Sequence, residues 1–504
     1  MKKAGDFFEK YNLIFLILIG GVYLFTRIFC AGEIPYYIHI DELQEAYEAL
    51  CTACYGTDST GALPGVYFNG FTNGHSAFLI YMGALLIKLR SGSFSLKLFR
   101  LIPAFGGLFG LVFSYLFVWK QTGKKKNAFI AAVLVLSLPV FFVSERNFTE
   151  DFLCLSIIPA AFFFLLWGIR EGKALLFLFS GLLFSLTMFS SQKTLLIIPV
   201  FLIFTVLYLI FTAKSGKACV AALCVPVIIS LSVLCLSSGI KLDLSCAKLM
   251  ANIPGIRKLF WDDGHDFNVI PGFGTIYFFS VPVIIPGIVV SLKKAADSFK
   301  NKTFEEYVPL WILLIVGLIT GLLSSNPGTG VSCPVFFTIT ILIAEGIIWI
   351  CDKVKGVLPA VICVYLLGLL VLCQSYFVNY NSELNHSKDH EEGILIDKSA
   401  GEALKAALKL FPGKKIAVCS GDFEGRNLLI ALYGGASPSD YRDFCDKDSF
   451  SFGNIRVNPE EDTDLSGGSV YVIDQGTYPE LIDAFTSGGW GIMPLKEYTV
   501  FYPQ

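Results

Sequence analysis

Runs of about 20 apolar residues recur along this chain, and a helix needs about that length to cross a hydrocarbon layer roughly 30 Å thick. Hydropathy alone predicts about twelve such segments, the first over 11–29. Short polar stretches separate them until about Asn379, where the pattern changes. Residues 382–392 are polar and charged and read as a linker. Beyond them, helical periods alternate with short buried strands. The pattern predicts helices over 400–411, 425–433 and 478–486, and strands at 415–419, 469–474 and 491–501. Such alternation predicts a small α/β domain. It contains no glycine-rich phosphate loop, so substrate guidance or packing is expected of it rather than chemistry.

The basic residues decide which apolar runs cross, because lysine and arginine favour short cytoplasmic loops. Lys120, Lys124, Lys125 and Lys126 form the strongest cluster between spans, and Lys2, Lys3 and Lys10 precede the first. Placing both inside requires an even number of crossings between them, yet three apolar runs intervene: 11–29, 74–89 and 97–119. The short run 74–89 is the weakest and is expected to be an interfacial or re-entrant helix on the outer side. About eleven spans remain. The expected fold class is an α-helical polytopic membrane protein with a C-terminal extracytoplasmic α/β domain. Its domains are 1–378, with one external segment over 30–96, and 379–504. The first run is long and no small-x-small site closes it, so it reads as a retained helix with a cytoplasmic N-terminus rather than a cleaved signal peptide.

Composition agrees. Of 504 residues, 54% are hydrophobic, 14% aromatic and only 16% charged, which excludes a single soluble domain. The net charge of −2 says nothing about partners, and no basic block points to nucleic acid, which is not expected as a partner. Half of the 14 cysteines fall in apolar runs, where the thiol acts as a small hydrophobe. Cys51 and Cys54 have CxxC spacing, weak support by itself for metal or redox chemistry.

Four polar clusters on the expected outer side could carry chemistry. Just past the first run stands Tyr36-Tyr37-Ile38-His39-Ile40-Asp41-Glu42. From Asp41 the pattern predicts an amphipathic helix lying on the membrane, with Asp41, Glu45 and Glu48 on one face and Leu43, Ala46, Tyr47 and Leu50 on the other. Asp41 is either a catalytic base or the cap of a capping box, with Glu42 beside it. The second cluster is Ser144-Glu145-Arg146-Asn147-Phe148-Thr149-Glu150-Asp151. Arg146 either snorkels to the interface or grips a phosphate through its planar fork of donors. In the third, Lys193 of Ser190-Ser191-Gln192-Lys193-Thr194 runs against the positive-inside bias, as an interface anchor or a phosphate ligand. The fourth, Phe260-Trp261-Asp262-Asp263-Gly264-His265-Asp266, is a polar substrate-touching loop or a site for a divalent metal ion. An acid, an arginine and a lysine at one outer face suit removal of a phosphate leaving group. The acid would deprotonate a hydroxyl and the cations would stabilise the departing oxygen.

In this order, the features resemble the GT-C membrane glycosyltransferases of the protein O-mannosyltransferase and aminoarabinose-transferase type. The resemblance rests on Asp41-Glu42 after the first span and on Gly74-His75-Ser76-Ala77 before a span containing Arg100. It also rests on Arg146 with Asp151 opening a later span, and on Lys193-Thr194 before an apolar run with Pro199. Residues 10–210 carry most of it. The resemblance implies that Asp41 is the base or acceptor-orienting group, and that Arg146 and Lys193 contact the phosphate of a lipid-linked donor. Glu42 and Asp151 become supporting acids, and His75, Asp262, Asp263 and His265 substrate contacts. The family's lysine-proline-proline type motif is missing near His75, and only Asn326-Pro327 stands where an Asn-Arg pattern is expected.

The expected function is transfer of a sugar from a polyprenyl-phosphate donor to a hydroxyl of an envelope glycan, lipid or protein, with inversion. The location is the outer face of a bacterial cytoplasmic membrane, among membrane lipids. The pattern requires no cofactor, and a divalent metal ion is an open alternative. Two alternatives are a lipid or polysaccharide transporter and an envelope polysaccharide polymerase or ligase. A transporter should carry polar residues within its spans and show symmetric halves.

Overall fold

The structure, a computed structural model, describes residues 2–68, 70–71, 75–148, 152–191, 193–212, 216–236, 250–260, 270, 272–323, 333–380, 395–421, 425–459 and 468–503. The chain begins with α1 (Lys2–Ile28), β1 (Tyr37–His39), α2 (Ile40–Cys54), β2 (Tyr67–Phe68), β3 (His75–Ser76) and α3 (Ala77–Leu89). Next come α4 (Leu96–Thr122), α5 (Lys125–Ser137), α6 (Pro139–Ser144), α7 (Phe152–Glu171), α8 (Ala174–Leu186), α9 (Thr194–Thr212) and α10 (Lys217–Leu236). Then follow α11 (Val281–Asn301), α12 (Tyr307–Leu323), α13 (Val335–Lys353) and α14 (Leu358–Gln374). The chain forms two compact units, one of residues 1–31 and 100–380, the other of residues 32–99 and 381–504. The first loop thus clusters with the C-terminal region rather than with the spans that flank it in sequence.

The first unit is helical. Among the described residues, eight helices are long and apolar enough to cross a membrane, and Ala77–Leu89, Ala174–Ser190 and Tyr307–Leu323 are shorter apolar helices. The segment between Lys124 and Ser144, expected as one span, is two pieces. Leu138 is extended (φ −65°, ψ 137°) because Pro139 follows it and disfavours the helical region there; Pro139 then opens α6. Every residue of α5 from Asn127 to Ser137 is buried, so this helix is wrapped by protein on all sides, as its apolar circumference demands. Phe117, Phe162, Phe184, Phe201 and Phe337 pack at its heart with ring centroids 4.7–6.1 Å apart. α11 and α13 meet backbone to backbone. A Cβ on Gly287 would lie 1.9 Å from the Leu342 oxygen, and one on Gly346 would lie 1.8 Å from the Val283 oxygen.

In the second unit α3 spans 13 residues, about 20 Å of helix and short of the hydrocarbon thickness. β4 (Leu395–Asp397), α15 (Ser399–Leu410), β5 (Ile416–Cys419), α16 (Arg426–Gly434) and α17 (Pro438–Phe444) begin the C-terminal part. β6 (Phe450–Phe452), β7 (Ile455–Val457), β8 (Val470–Asp474), α18 (Pro479–Ser487), β9 (Gly491–Pro494) and β10 (Tyr498–Tyr502) complete it. Six strands form a sheet in the order β6-β7-β5-β8-β10-β9. β5 runs parallel to β7 and β8, and the outer pairs are antiparallel. Ala417, Cys419, Tyr471, Ile473, Phe485 and Phe501 form a core with Leu481, Ile482 and Trp490 against it. α15 buries Ala400, Ala403, Leu404 and Ala407, a single apolar stripe at helical spacing. The stretch 491–501, expected as one strand, is a hairpin closed by Leu495 N–H donating to Tyr498 O at 2.8 Å.

A fourth antiparallel contact lies outside this sheet. β1 pairs with β4, with Tyr37 opposite Asp397, Ile38 opposite Ile396 and His39 opposite Leu395. The first loop and the C-terminal region therefore share main-chain hydrogen bonding. Tyr47 Oη donates to Ser437 O at 3.2 Å, Tyr55 Oη to Gly435 O at 2.7 Å and Lys405 Nζ to Phe94 O at 2.6 Å.

Candidate functional site

In the second unit, Asp41 is the second residue of α2. The cap is His39, not Asp41: its backbone is extended (φ −67°, ψ 145°) and its Nδ1 accepts from Asp41 N–H at 3.2 Å. The Asp41 side chain is thereby released from capping. It retains 37% of its exposure, with Oδ2 3.5 Å from His39 Nδ1. Asp41 Oδ1 is enclosed and has no hydrogen-bond partner among the described residues. A carboxylate here lies where the aligned amides of a helix N-terminus favour negative charge. It is ionisable, partly open to water and uncommitted at one oxygen, which are the requirements for taking a proton.

α2 does not lie with one face open. Glu42, Glu45 and Glu48 are buried along with Leu43, Ala46, Tyr47 and Leu50, which differs from the amphipathic surface helix expected. Buried carboxylates need partners, and Glu48 has them: Ser59 N–H donates to its Oε2 at 2.8 Å and Ser59 Oγ donates to Oε1. Glu42 is therefore an interior residue of this unit. His75 lies in β3 opposite Phe68 on β2; its side chain lies outside the described part. Cys51 is buried and Cys54 exposed.

The first unit holds three fully buried arginines, Arg27, Arg100 and Arg146. The last carbonyls of a helix have no partner within it, and here arginines supply them. Arg146 Nη1 donates to Thr26 O at 2.6 Å and Arg27 O at 3.1 Å, and its Nη2 donates to Phe29 O at 2.9 Å. Arg100 Nη1 donates to Ala31 O at 3.1 Å. Positive charge beside a helix C-terminus is also favoured by its dipole. The Arg146 guanidinium stands 5.0 Å from the Tyr376 ring centroid and 4.7 Å from that of Phe377, within cation–π reach. Arg27 pairs with Glu145 at 3.3 Å and donates to Leu136 O at 3.1 Å. Arg27 had drawn no attention from the sequence, although a lone cation in the last turn of an apolar run was the available signal.

Lys193 immediately precedes α9 and is half-buried. Its carbonyl accepts from Leu196 and Ile197 N–H at 3.2 and 3.1 Å, while Thr194 Oγ1 accepts from Ser191 N–H at 3.1 Å. An ammonium next to helix amides is disfavoured by the dipole but meets an anion jointly with them. Asp151, Asp262, Asp263 and His265 lie outside the described residues. Among the described residues no group of three His, Cys, Asp or Glu side chains is placed to hold a metal ion.

No family model matches the chain, and neither does any curated protein. Solved structures do. ArnT from Cupriavidus metallidurans in the apo state aligns over 98% of this chain and 98% of its own, with TM-score 0.55 and 14% identity. The same protein bound to undecaprenyl phosphate gives TM-score 0.52 at 13% identity over the same shares. The archaeal oligosaccharyltransferase AglB from Archaeoglobus fulgidus, in complex with an inhibitory peptide and a dolichol-phosphate, aligns over 99% of this chain and 75% of its own, with TM-score 0.51 and 12% identity. At such identities the likeness is one of fold alone: over nearly its whole length this chain folds like ArnT and AglB.

Proposed function

We propose that the protein transfers a sugar from a polyprenyl-phosphate carrier to a hydroxyl of a cell-envelope acceptor, with inversion, at the outer face of a bacterial cytoplasmic membrane. The observation that carries this reading is Asp41. It is a carboxylate at the head of α2, freed from capping by His39 and with Oδ1 unpartnered among the described residues, in a chain whose fold matches ArnT from end to end. The undecaprenyl phosphate of ArnT and the dolichol-phosphate of AglB support a lipid-linked donor.

Asp41 takes the proton of the acceptor hydroxyl as its oxygen attacks the anomeric carbon from the face opposite the phosphate. The bond between that carbon and the phosphate oxygen breaks, and the lipid phosphate leaves with its electron pair. Lys193, with the first amides of α9, is the proposed ligand of the lipid phosphate. Arg146 contributes its charge while its terminal nitrogens hold the end of α1. Glu42, being buried, supports α2 rather than competing for the proton.

The test is a host lacking this gene, complemented with wild type or Asp41→Asn at equal expression. Envelope glycans and lipid-linked sugars are compared by mass spectrometry. Asp41→Asn should leave one sugar missing and its lipid-linked donor accumulated, since loss of a general base costs about 10²–10⁴ in rate. A wild-type glycan profile from Asp41→Asn overturns the assignment.

A further inference from the structure

The buried lysine at the start of α15 has no part in the chemistry above. Lys398 has no exposed side-chain surface and lies 3.5 Å from Glu33 and 3.3 Å from Glu402. Its Nζ donates to Gly32 O, and it stands 5.6 Å from the Tyr36 ring centroid. Lys496 lies 4.2 Å from the same ring. An ammonium buried this fully is costly unless its geometry is well satisfied, so this arrangement holds residues 32–36 firmly against the C-terminal region. β1 starts directly after them. Its pairing with β4 covers only three residues on each strand, so few ladder hydrogen bonds hold the register and contacts beside the ladder bear on it.

Register matters here because Asp41 follows β1 by two residues. A slip of one residue moves the strand by about 3.3 Å and turns every side chain to the other face. A misplacement of about 1 Å can already cost roughly 100-fold in rate. Lys398 faces the Tyr36 end of β1, and Asp41 follows the His39 end, so the lysine cannot act by touching the reacting groups. We infer that Lys398 is a positioning residue: by gripping Gly32 and Glu33 it fixes the β1–β4 register and thereby the place of Asp41. The C-terminal region then acts as a register clamp on the first loop. This rests on the reading of Asp41 as the base.

The experiment uses the full-length protein in detergent, with a lipid extract of the deletion host as donor. Lys398→Met should lower kcat about 100-fold while half-saturation by the extract stays within twofold. Hydrogen exchange at the amides of 37–41 should quicken while β5 and β8 stay protected. In the same variant, an oxidised Ile38→Cys/Ile396→Cys pair, built on directly opposed residues, should restore the rate, and reduction should abolish the restoration. If Lys398→Met does not fold, Glu33→Gln/Glu402→Gln keeps the lysine and should weaken the grip in the same sense. Unchanged exchange at 37–41 and unchanged kcat in whichever variant folds overturn the proposal. So does a loss that the cross-link leaves in place. Asp41→Asn is assayed alongside: if it is active, the base assignment fails, while the exchange data still judge the clamp.

Discussion

The contact between α11 and α13 makes a quantitative prediction. A Cβ on Gly346 would lie 1.8 Å from the Val283 oxygen, and its nearest obstacles are main-chain atoms, which cannot swing aside as a side-chain tip does. Real Cβ contacts essentially never fall below 3.0 Å, so Gly346→Ala must part the helices by more than 1 Å. A gap of that order forfeits a quarter to a half of each dispersion contact across the seam. Overpacking of this sort costs about 1–3 kcal/mol, and rigid backbone obstacles place Gly346→Ala at the upper end. For a unit of this size, about 3 kcal/mol lowers Tm by roughly 5 °C. The matched control is Gly21→Ala in α1, where nothing lies within 4 Å of the added carbon. Alanine there gains about 1 kcal/mol of helix propensity, so Tm should hold or rise slightly. Thermal unfolding of the purified protein in detergent, followed by exposure of buried thiols, reads both. If Gly346→Ala melts with wild type, the two backbones do not approach as described.

Two further predictions concern the second unit. A hydrogen bond with Asp397, followed by burial, raises the Glu497 carboxyl from its usual 4.5 to about 8. An acid raised on folding contributes stability that is fully present below pH 4.5 and is lost as pH rises through about 8. Hydrogen-exchange protection of β4 should therefore fall across that window, and Glu497→Gln should flatten the dependence; an unchanged slope in the variant refutes the shared proton. His39→Ala should remove the cap on Asp41 N–H and cost about 1 kcal/mol of α2 stability, whereas His39→Asn, itself a good cap, should retain most of it. Exchange at the first turn of α2 measures the difference, and equal protection in both variants would show that the imidazole does not cap.

The membrane part of the fold was legible because lipid forces each span to be long, apolar and helical. What the hydropathy pattern missed was the break at Leu138, although Pro139 marks it. In the C-terminal region, Ala400, Ala403, Leu404 and Ala407 announce α15 by spacing alone. The hairpin of β6 and β7 went unread although Gly453-Asn454 stands between two alternating triplets, a turn signal of the ordinary kind. The pairing of β1 with β4 had no such signal: three residues on each side, far apart in sequence, carry no local mark of partnership. For the candidate site, Asp41 drew notice by type and place. Aspartate is a favoured capping residue and histidine is not, so the sequence leaves Asp41 as either base or cap and does not point to His39. The burial of Glu48 has no mark in the helical pattern, because its partner Ser59 lies outside α2.

The β1–β4 pair also imposes an order on biosynthesis. β4 is translated about 350 residues after β1, which at ordinary elongation rates is roughly 20–70 s. Until then β1 is an unpaired edge at the head of α2. Every later apolar helix up to α14 must emerge first. A nascent chain thus carries Asp41 in an unfinished setting until β4 has been made.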